Sequence, residues 1–326
     1  MNITNNVSIT IPLISNNYCF IRDSSILDKV IGQKEVLRKL KFFVNSHSPV
    51  SPVPSMLFSG SQGLGKSFMA KKMAESLGRE LIEVNCGNIL TVKDFVKGVL
   101  IDKVLGNKPV TLFLDEAHQL NSEITTILLS LLNPNEQNKT TISYENTYIE
   151  YDFANINTIF ATTDAHKMFK PLLNRCVEVY FSLYTNDDLF DILCGYLKGI
   201  KVTCNKKDIA YACRGRARDA FVISTHINRY CVMNKINYFD AKGFNDIKEI
   251  FGIHHLGLNS QEINMLRIIR DNGYISSNNI AIKMGVNVQN IESEIEIRSK
   301  ELGFIEMGSR GRCLTKEGLD YLKAIE

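Results

Sequence analysis

Short apolar runs alternate with amphipathic stretches through the first half of the chain. Residues 54–58, 80–86, 109–116, 156–161 and 177–181 read as strands, because each is bounded by turn residues or by charge. Between them, residues 34–45, 66–76, 91–104 and 122–132 carry the helical period. Strands that are apolar throughout and alternate with helices predict a parallel sheet covered on both faces, an α/β architecture. Residues 135–153 break this rhythm. Thr141-Ile142-Ser143-Tyr144 and Thr147-Tyr148-Ile149-Glu150-Tyr151 alternate around Glu145-Asn146, the pattern of a β-hairpin.

The last 70 or so residues have a period of their own. Residues 260–271, 277–284 and 288–302 read as helices, with a Gly285-Val286-Asn287 turn between the second and third. Residues 304–307 and 312–315 then bracket Gly308-Ser309-Arg310-Gly311. Three helices and a two-stranded wing predict a winged helix. Residues 46–54 form a Pro- and Ser-rich connector, and residues 1–25 are an Asn- and Ser-rich lead-in to which no element is assigned.

Composition narrows the class. The chain has 326 residues, enough for two or three domains. Hydrophobic residues make up 44% and charged residues 22%, the balance of a soluble globular protein. No apolar run reaches the roughly 20 residues that span a bilayer, and the first residues lack the basic start of a signal peptide. The eight cysteines form no C-x-x-C pair and no zinc spacing, so they read as buried thiols in a reducing, cytoplasmic compartment. A formal net charge of +3 neither requires nor excludes nucleic acid.

The chemistry gathers at the ends of the apolar runs. Gly60-Ser61-Gln62-Gly63-Leu64-Gly65-Lys66-Ser67 fits G-x-x-x-x-G-K-[ST] between a strand and a helix. Its glycines let backbone N–H groups curl around phosphates, and the helix N-terminus adds partial positive charge. Lys66 then reaches the β- and γ-phosphates, and Ser67 ligates Mg²⁺. Asp115 and Glu116, about 50 residues on, end an apolar strand. Asp115 is expected to hold Mg²⁺ through water, and Glu116 to act as general base. Thr163, at the end of the next strand, is placed to orient the attacking water. Arg175 precedes the fifth strand, too far along the sheet to serve its own nucleotide easily, and in a ring it would reach a neighbour's site. In Arg214-Gly215-Arg216-Ala217-Arg218, Arg218 is expected to fold over the phosphates of its own subunit, with Arg214 and Arg216 on solvent or phosphate.

This constellation resembles the AAA+ ATPases and, within them, the RuvB family of Holliday-junction branch-migration motors. The likeness runs from about residue 26 to about residue 322. Asp28-Lys29-Val30-Ile31-Gly32-Gln33 is similar to the family's adenine-contacting segment. Gly63-Leu64-Gly65-Lys66-Ser67 is similar to its phosphate loop, with Ser where Thr is usual. Leu114-Asp115-Glu116-Ala117-His118-Gln119-Leu120-Asn121 resembles Walker B, Ala161-Thr162-Thr163 resembles sensor 1, and Pro171-Leu172-Leu173-Asn174-Arg175 resembles the arginine-finger segment. There Leu173 and Cys176 replace the usual Arg and Phe. The 214–218 segment resembles sensor 2, with Arg218 on the sensor arginine. The resemblance implies ATP and Mg²⁺ as ligands. It places nucleotide contacts at Ile31, Gly32, Gly60, Gly63, Leu64, Gly65, Lys66, Ser67, Phe68 and Arg218, and metal contacts at Ser67 and Asp115.

It also implies an organisation: an AAA+ P-loop parallel-sheet core over residues 1–183, a helical lid over 184–255 and a winged helix over 256–326. The 135–153 hairpin would dock a RuvA-like partner. Arg310 and Arg312 of the wing would contact duplex or junction DNA, with Gly311 permitting close approach to phosphates. The near balance of nine Lys/Arg and ten Asp/Glu across residues 256–326 points to a sequence-blind grip through the wing alone. The implied protein is a homo-oligomeric ring, a hexamer, that hydrolyses ATP to move DNA. The rival is an AAA+ loader or remodeller acting on a sliding clamp or helicase in replication.

Overall fold

The computed structural model describes residues 22–104, 109–145 and 147–326. The lead-in as far as residue 21, with Cys19, and Asn146 of the hairpin turn lie outside the described residues. The chain divides into two compact units, which meet between Leu183 and Tyr184.

In the first unit, β1 (Met56–Ser59), β2 (Glu80–Asn85), β3 (Val110–Asp115), β6 (Ile156–Thr162) and β7 (Val177–Tyr180) form a five-stranded sheet in the order β2-β3-β6-β1-β7. Every pairing in it is parallel. The three inner strands are buried along almost their whole length. The edge strands are less covered, because an edge keeps one side toward water: β2 has only exposed and half-buried positions, and β7 buries Val179 alone. Full covering, expected of every strand, is therefore confined to the centre of the sheet, and even there uniform apolarity is broken by the buried Thr111, Asn157 and Thr158. Phe95, Val99, Leu100, Leu112, Leu114, Leu128 and Phe160 build the core on one face. The helix expected over 91–104 begins with a capping box, in which Thr91 and Asp94 satisfy each other's backbone N–H, and continues as a π-helix over Val96–Val104.

The hairpin forms from β4 (Lys139–Tyr144) and β5 (Thr147–Asp152), with Ile142 opposite Ile149. Ile149 and Tyr151 are buried, whereas Tyr148 is 69% exposed, so one face packs and the other meets solvent. A polar cluster ties the hairpin base to the sheet. Arg79 donates to Asn157 Oδ1 (2.5 Å) and to the Ala154 carbonyl (2.8 Å), and the Thr111 hydroxyl donates to the same Asn157 oxygen (2.8 Å). Burial lowers Arg79 to about 10, which leaves it charged at neutral pH and held by neutral acceptors.

The second unit carries two hydrophobic cores in succession. The helices Asn186–Tyr196, Lys206–Ala212, Ala217–Asn234 and Ala241–Phe251 bury Leu189, Leu193, Ile209, Ile227 and Ile247. Thr185, Asn205 and Asp240 cap three of them through side-chain oxygens. The second core, with Leu258, Leu266, Ile280, Ile291 and Leu322, is the winged helix. Its helices are Ser260–Asn272, Ser277–Met284 and a continuous run over residues 288–301 with a π-helical middle. The wing strands Ile305–Gly308 and Gly311–Leu314 pair antiparallel, and Arg312 bridges back to Ile275. A closing helix, Lys316–Ile325, capped by Thr315, completes this core and was not expected from the periodicity.

Candidate functional site

The sheet places the sequence-predicted chemistry along one edge. Ser59 of β1 pairs with Thr162 of β6 and with Tyr180 of β7, and Asn85 of β2 pairs with Asp115 of β3. The loop after β1, the acids after β3 and the threonines closing β6 thus emerge together at the carboxyl ends of the strands, where open α/β sheets hold ligands.

The loop has a backbone that only glycine adopts without strain. Gly60, Gly63 and Gly65 all have positive φ, at 138°, 81° and 89°. A Cβ on Gly60 would stand 2.5 Å from the Phe181 carbonyl oxygen. Gly65 ends the loop, and the helix Lys66–Ser76 starts there, with Ser67 half-buried in its first turn. Lys66 Nζ donates to the carbonyls of Gly60 (2.7 Å) and Ser61 (2.9 Å), so the ammonium lies inside the curl of the loop. Leu64 is buried beneath it and Phe68 is 48% exposed. The cradle fits a chain of phosphates: its glycines clear the space and its one lysine lies within it.

The segment expected to contact adenine is fixed from the far side. Gln33 is buried and left-handed, its amide donates to the Ser182 carbonyl (2.6 Å), and its oxygen accepts the Ser182 N–H (3.3 Å). Gly32 has φ 74° and Ile31 is 36% exposed, so the turn presents an apolar side chain beside a bare backbone. Gln33, which locks this turn to the exit of β7, was not singled out from sequence. Its signal in the sequence is its place at the end of that segment, in a Gly-Gln pair directly before a helix.

Asp115 and Glu116 are both half-buried, and the Glu116 N–H donates to Asp115 Oδ1 (3.0 Å). Glu116 itself is left-handed, at φ 52°. No cluster of three or more His, Cys, Asp or Glu side chains suited to a metal occurs among the described residues. One carboxylate and one serine suit Mg²⁺, which keeps several waters and takes the rest of its ligands from phosphate oxygens. Cys86, at the end of β2, is buried, and burial together with the nearby Asp115 and Glu116 pushes its thiol up to about 12. It is an inert thiol at neutral pH.

Thr163 follows β6 with an exposed side chain. Its neighbour Thr162, which the sequence did not mark out, is fully buried and bonds to His118 Nδ1 (3.0 Å). Arg175 is exposed and donates to the Pro171 carbonyl (2.9 Å), and among the described residues it forms no ion pair. Leu173 and Cys176, the two departures from the finger pattern, both pack against the main core. The segment is thus seated by apolar contacts, with its guanidinium outside.

In the second unit the three arginines of 214–218 have different fates. Arg214 pairs with Glu262, which is buried at the start of the winged helix, and Arg216 pairs with Glu301. This corrects the expectation that both face solvent or phosphate: their charges are neutralised by carboxylates of the winged helix. Arg218 is exposed and, among the described residues, has no ion pair.

The wing also departs from expectation. Arg310 is exposed at its tip and lies over the Tyr274 ring, 4.3 Å from the centroid. Arg312 is buried and bonds to Glu296 (2.8 Å) and Glu292 (3.1 Å), so it is a packing residue here rather than a DNA contact. Gly311 has a structural reason as well: a Cβ there would stand 2.4 Å from the Ile275 carbonyl oxygen, at φ 116°. The close approach that it permits is to its own chain.

Comparison with known proteins agrees with this architecture. Residues 56–183 match the family "ATPase family associated with various cellular activities (AAA)", and residues 255–323 match "RuvB C-terminal winged helix domain". The Holliday junction branch migration complex subunit RuvB of Ehrlichia canis is 28% identical over 309 residues, 92% of each chain. That of Chlamydia trachomatis is 25% identical over 91% of this chain and 90% of its own. Among solved structures, the Thermotoga maritima RuvB Holliday junction branch migration motor superposes with a TM-score of 0.75 at 22% identity, covering 90% of this chain and 95% of that one. With an AAA domain followed by a RuvB winged helix, in register with RuvB subunits along nine-tenths of their length, the chain belongs to the RuvB family of AAA ATPases.

Proposed function

We propose that this protein is an ATP-hydrolysing motor that moves duplex DNA to drive branch migration of Holliday junctions in recombination and repair. The observation that carries the reading is a nucleotide cradle on the same chain as a winged helix of the RuvB type. That winged helix leaves nothing specific in favour of the loader or remodeller. In this reading the chain divides into a core over 1–183, a lid over 184–255 and a winged helix over 256–326.

Within the core, Lys66 and the backbone of residues 60–67 hold the triphosphate, and Ile31, Gly32, Leu64 and Phe68 border it. Ser67 and Asp115 hold Mg²⁺, which when bound neutralises phosphate charge. Glu116 takes a proton from the attacking water, and Thr163 orients that water. Arg218 closes over the phosphates of its own subunit. Arg175 acts on the site of the next subunit in a ring, taken as a hexamer. The hairpin is the docking element for a RuvA-like partner, and Arg310 is the DNA contact. Cytoplasmic action fits, since no helix among the described residues is long and apolar enough to cross a membrane.

Two substitutions test the site itself. Lys66→Ala removes the ammonium that lies in the curl of the loop and is expected to weaken ATP binding by about 2–5 kcal/mol, read by titration with a fluorescent ATP analogue. Glu116→Gln keeps the shape and removes the base. It should bind ATP normally while turnover falls by about 10²–10⁴-fold. Normal turnover in that variant would refute the assignment of the base. The directional test is ATP-dependent migration of a synthetic four-way junction by the wild-type chain with its junction-binding partner. Hydrolysis without migration would return the loader to contention.

A further inference from the structure

His118 lies two residues beyond Glu116, in the short 3-10 turn Ala117–Gln119 that follows β3. The Gln119 N–H closes that turn on the Glu116 carbonyl (2.9 Å). Glu116 holds a left-handed backbone, φ 52° and ψ 44°, which is strained for a non-glycine residue and persists only where its surroundings impose it. The turn carries the imidazole back between Glu116 and the end of β6.

The ring makes three contacts there, and its side chain is 13% exposed. Nδ1 meets the Thr162 hydroxyl at 3.0 Å and Glu116 Oε2 at 3.5 Å, and Nε2 faces Asp164 Oδ2 at 3.9 Å. Thr162 is fully buried, and its oxygen already accepts the Asp164 N–H (3.0 Å). Its one proton is therefore directed at Nδ1, since a buried hydroxyl proton left unpaired is costly. Nδ1 is then the acceptor and Nε2 carries the hydrogen, pointing to the Asp164 carboxylate. So fixed, Nδ1 has no proton to give Glu116, and the ring bounds the space open to that carboxylate by contact and lone-pair repulsion, not by a hydrogen bond. The ring is bolted to the residue immediately before Thr163.

We propose that His118 is a positioning residue for Glu116, which fixes the direction of its carboxylate and joins it to the β6 terminus through Thr162. The proposal rests on Glu116 being the general base. It assigns His118 a role in the rate of hydrolysis and none in nucleotide affinity. A carboxylate misplaced by about 1 Å loses on the order of 10²-fold in rate, whereas a side chain that never touches nucleotide leaves binding unchanged.

The test uses the full chain with duplex DNA and measures steady-state ATP hydrolysis, ATP binding and thermal melting. His118→Ala is expected to lower kcat by about 10- to 100-fold with KM and ATP binding unchanged. His118→Asn places an amide oxygen where Nδ1 stood, accepts the Thr162 proton, and should recover most of the lost kcat. On a Glu116→Gln background, His118→Ala should cause no further loss, because the residue it positions is already inactive. The proposal is overturned if folded His118→Ala hydrolyses ATP at the wild-type rate while Glu116→Gln does not. It is equally overturned if a folded Asn variant recovers nothing, or if the losses multiply in the double variant. Normal hydrolysis by Glu116→Gln alone is a separate outcome, which removes the base assignment and this proposal with it.

Discussion

Arg175→Ala is expected to abolish ATP hydrolysis, by about 10³–10⁵-fold, while the variant still binds ATP. An arginine that stabilises charge developing on a transferred phosphoryl group contributes on this scale because it acts only in the transition state. The side chain has the freedom that the role requires. It is exposed, among the described residues its side chain is held only by the Pro171 carbonyl, and its flanks Leu173 and Cys176 anchor the segment to the core. If it acts across a subunit boundary, two inactive variants should rescue one another. A ring mixing Arg175→Ala with Glu116→Gln contains sites whose Lys66 and Glu116 come from the first chain and whose arginine comes from the second. Those sites should turn over, and activity should rise and fall with the mixing ratio. Strictly additive inactivity at every ratio would place Arg175 in its own subunit's site or in none.

Much of the candidate site's geometry was legible because its parts are local. The phosphate loop needs glycines at fixed offsets, so its backbone was written into Gly60, Gly63 and Gly65 before any fold was known. Asp115 was marked by the apolar run that it ends, and that run is the fully covered strand β3. What the sequence could not show were contacts made at a distance. The partners of Arg214 and Arg216 are Glu262 and Glu301, 48 and 85 positions away, and no periodicity links them. Thr162 is the last residue of β6 and Thr163 the first beyond it, and the first is buried while the second is exposed. Local pattern does not say which of the two has His118 behind it.

The wing shows the same limit with a larger consequence. Arg310-Gly311-Arg312 reads as a symmetrical basic loop, yet Arg310 stands in the turn that joins the two wing strands while Arg312 lies within the strand Gly311–Leu314, and only the first is outside. Arg312→Ala is therefore expected to act on stability. It removes a guanidinium bonded to Glu296 and Glu292, leaving the buried Glu296 carboxylate with Lys300 alone. Breaking a buried pair from one side costs about 3–5 kcal/mol, a large share of what a domain of this size has. Thermal denaturation of the full chain without DNA should show the winged-helix transition fall by many degrees. Arg310→Ala should leave that transition in place, weaken DNA binding, and reduce the salt dependence by about one phosphate contact. The pair also sets a pH dependence. Burial raises Glu296, but the bonds from Arg312 and Lys300 outweigh it, and the net shift is downward from 4.5. The stability it contributes is thus complete above that value and is lost as the pH falls through the lowered folded one. Arg312→Ala should weaken that acid-side loss along with the stability, since Lys300 alone then opposes the effect of burial on the carboxylate. A stable Arg312→Ala protein that fails only on DNA would instead put both arginines on the phosphate backbone, with the ion pair opening on contact.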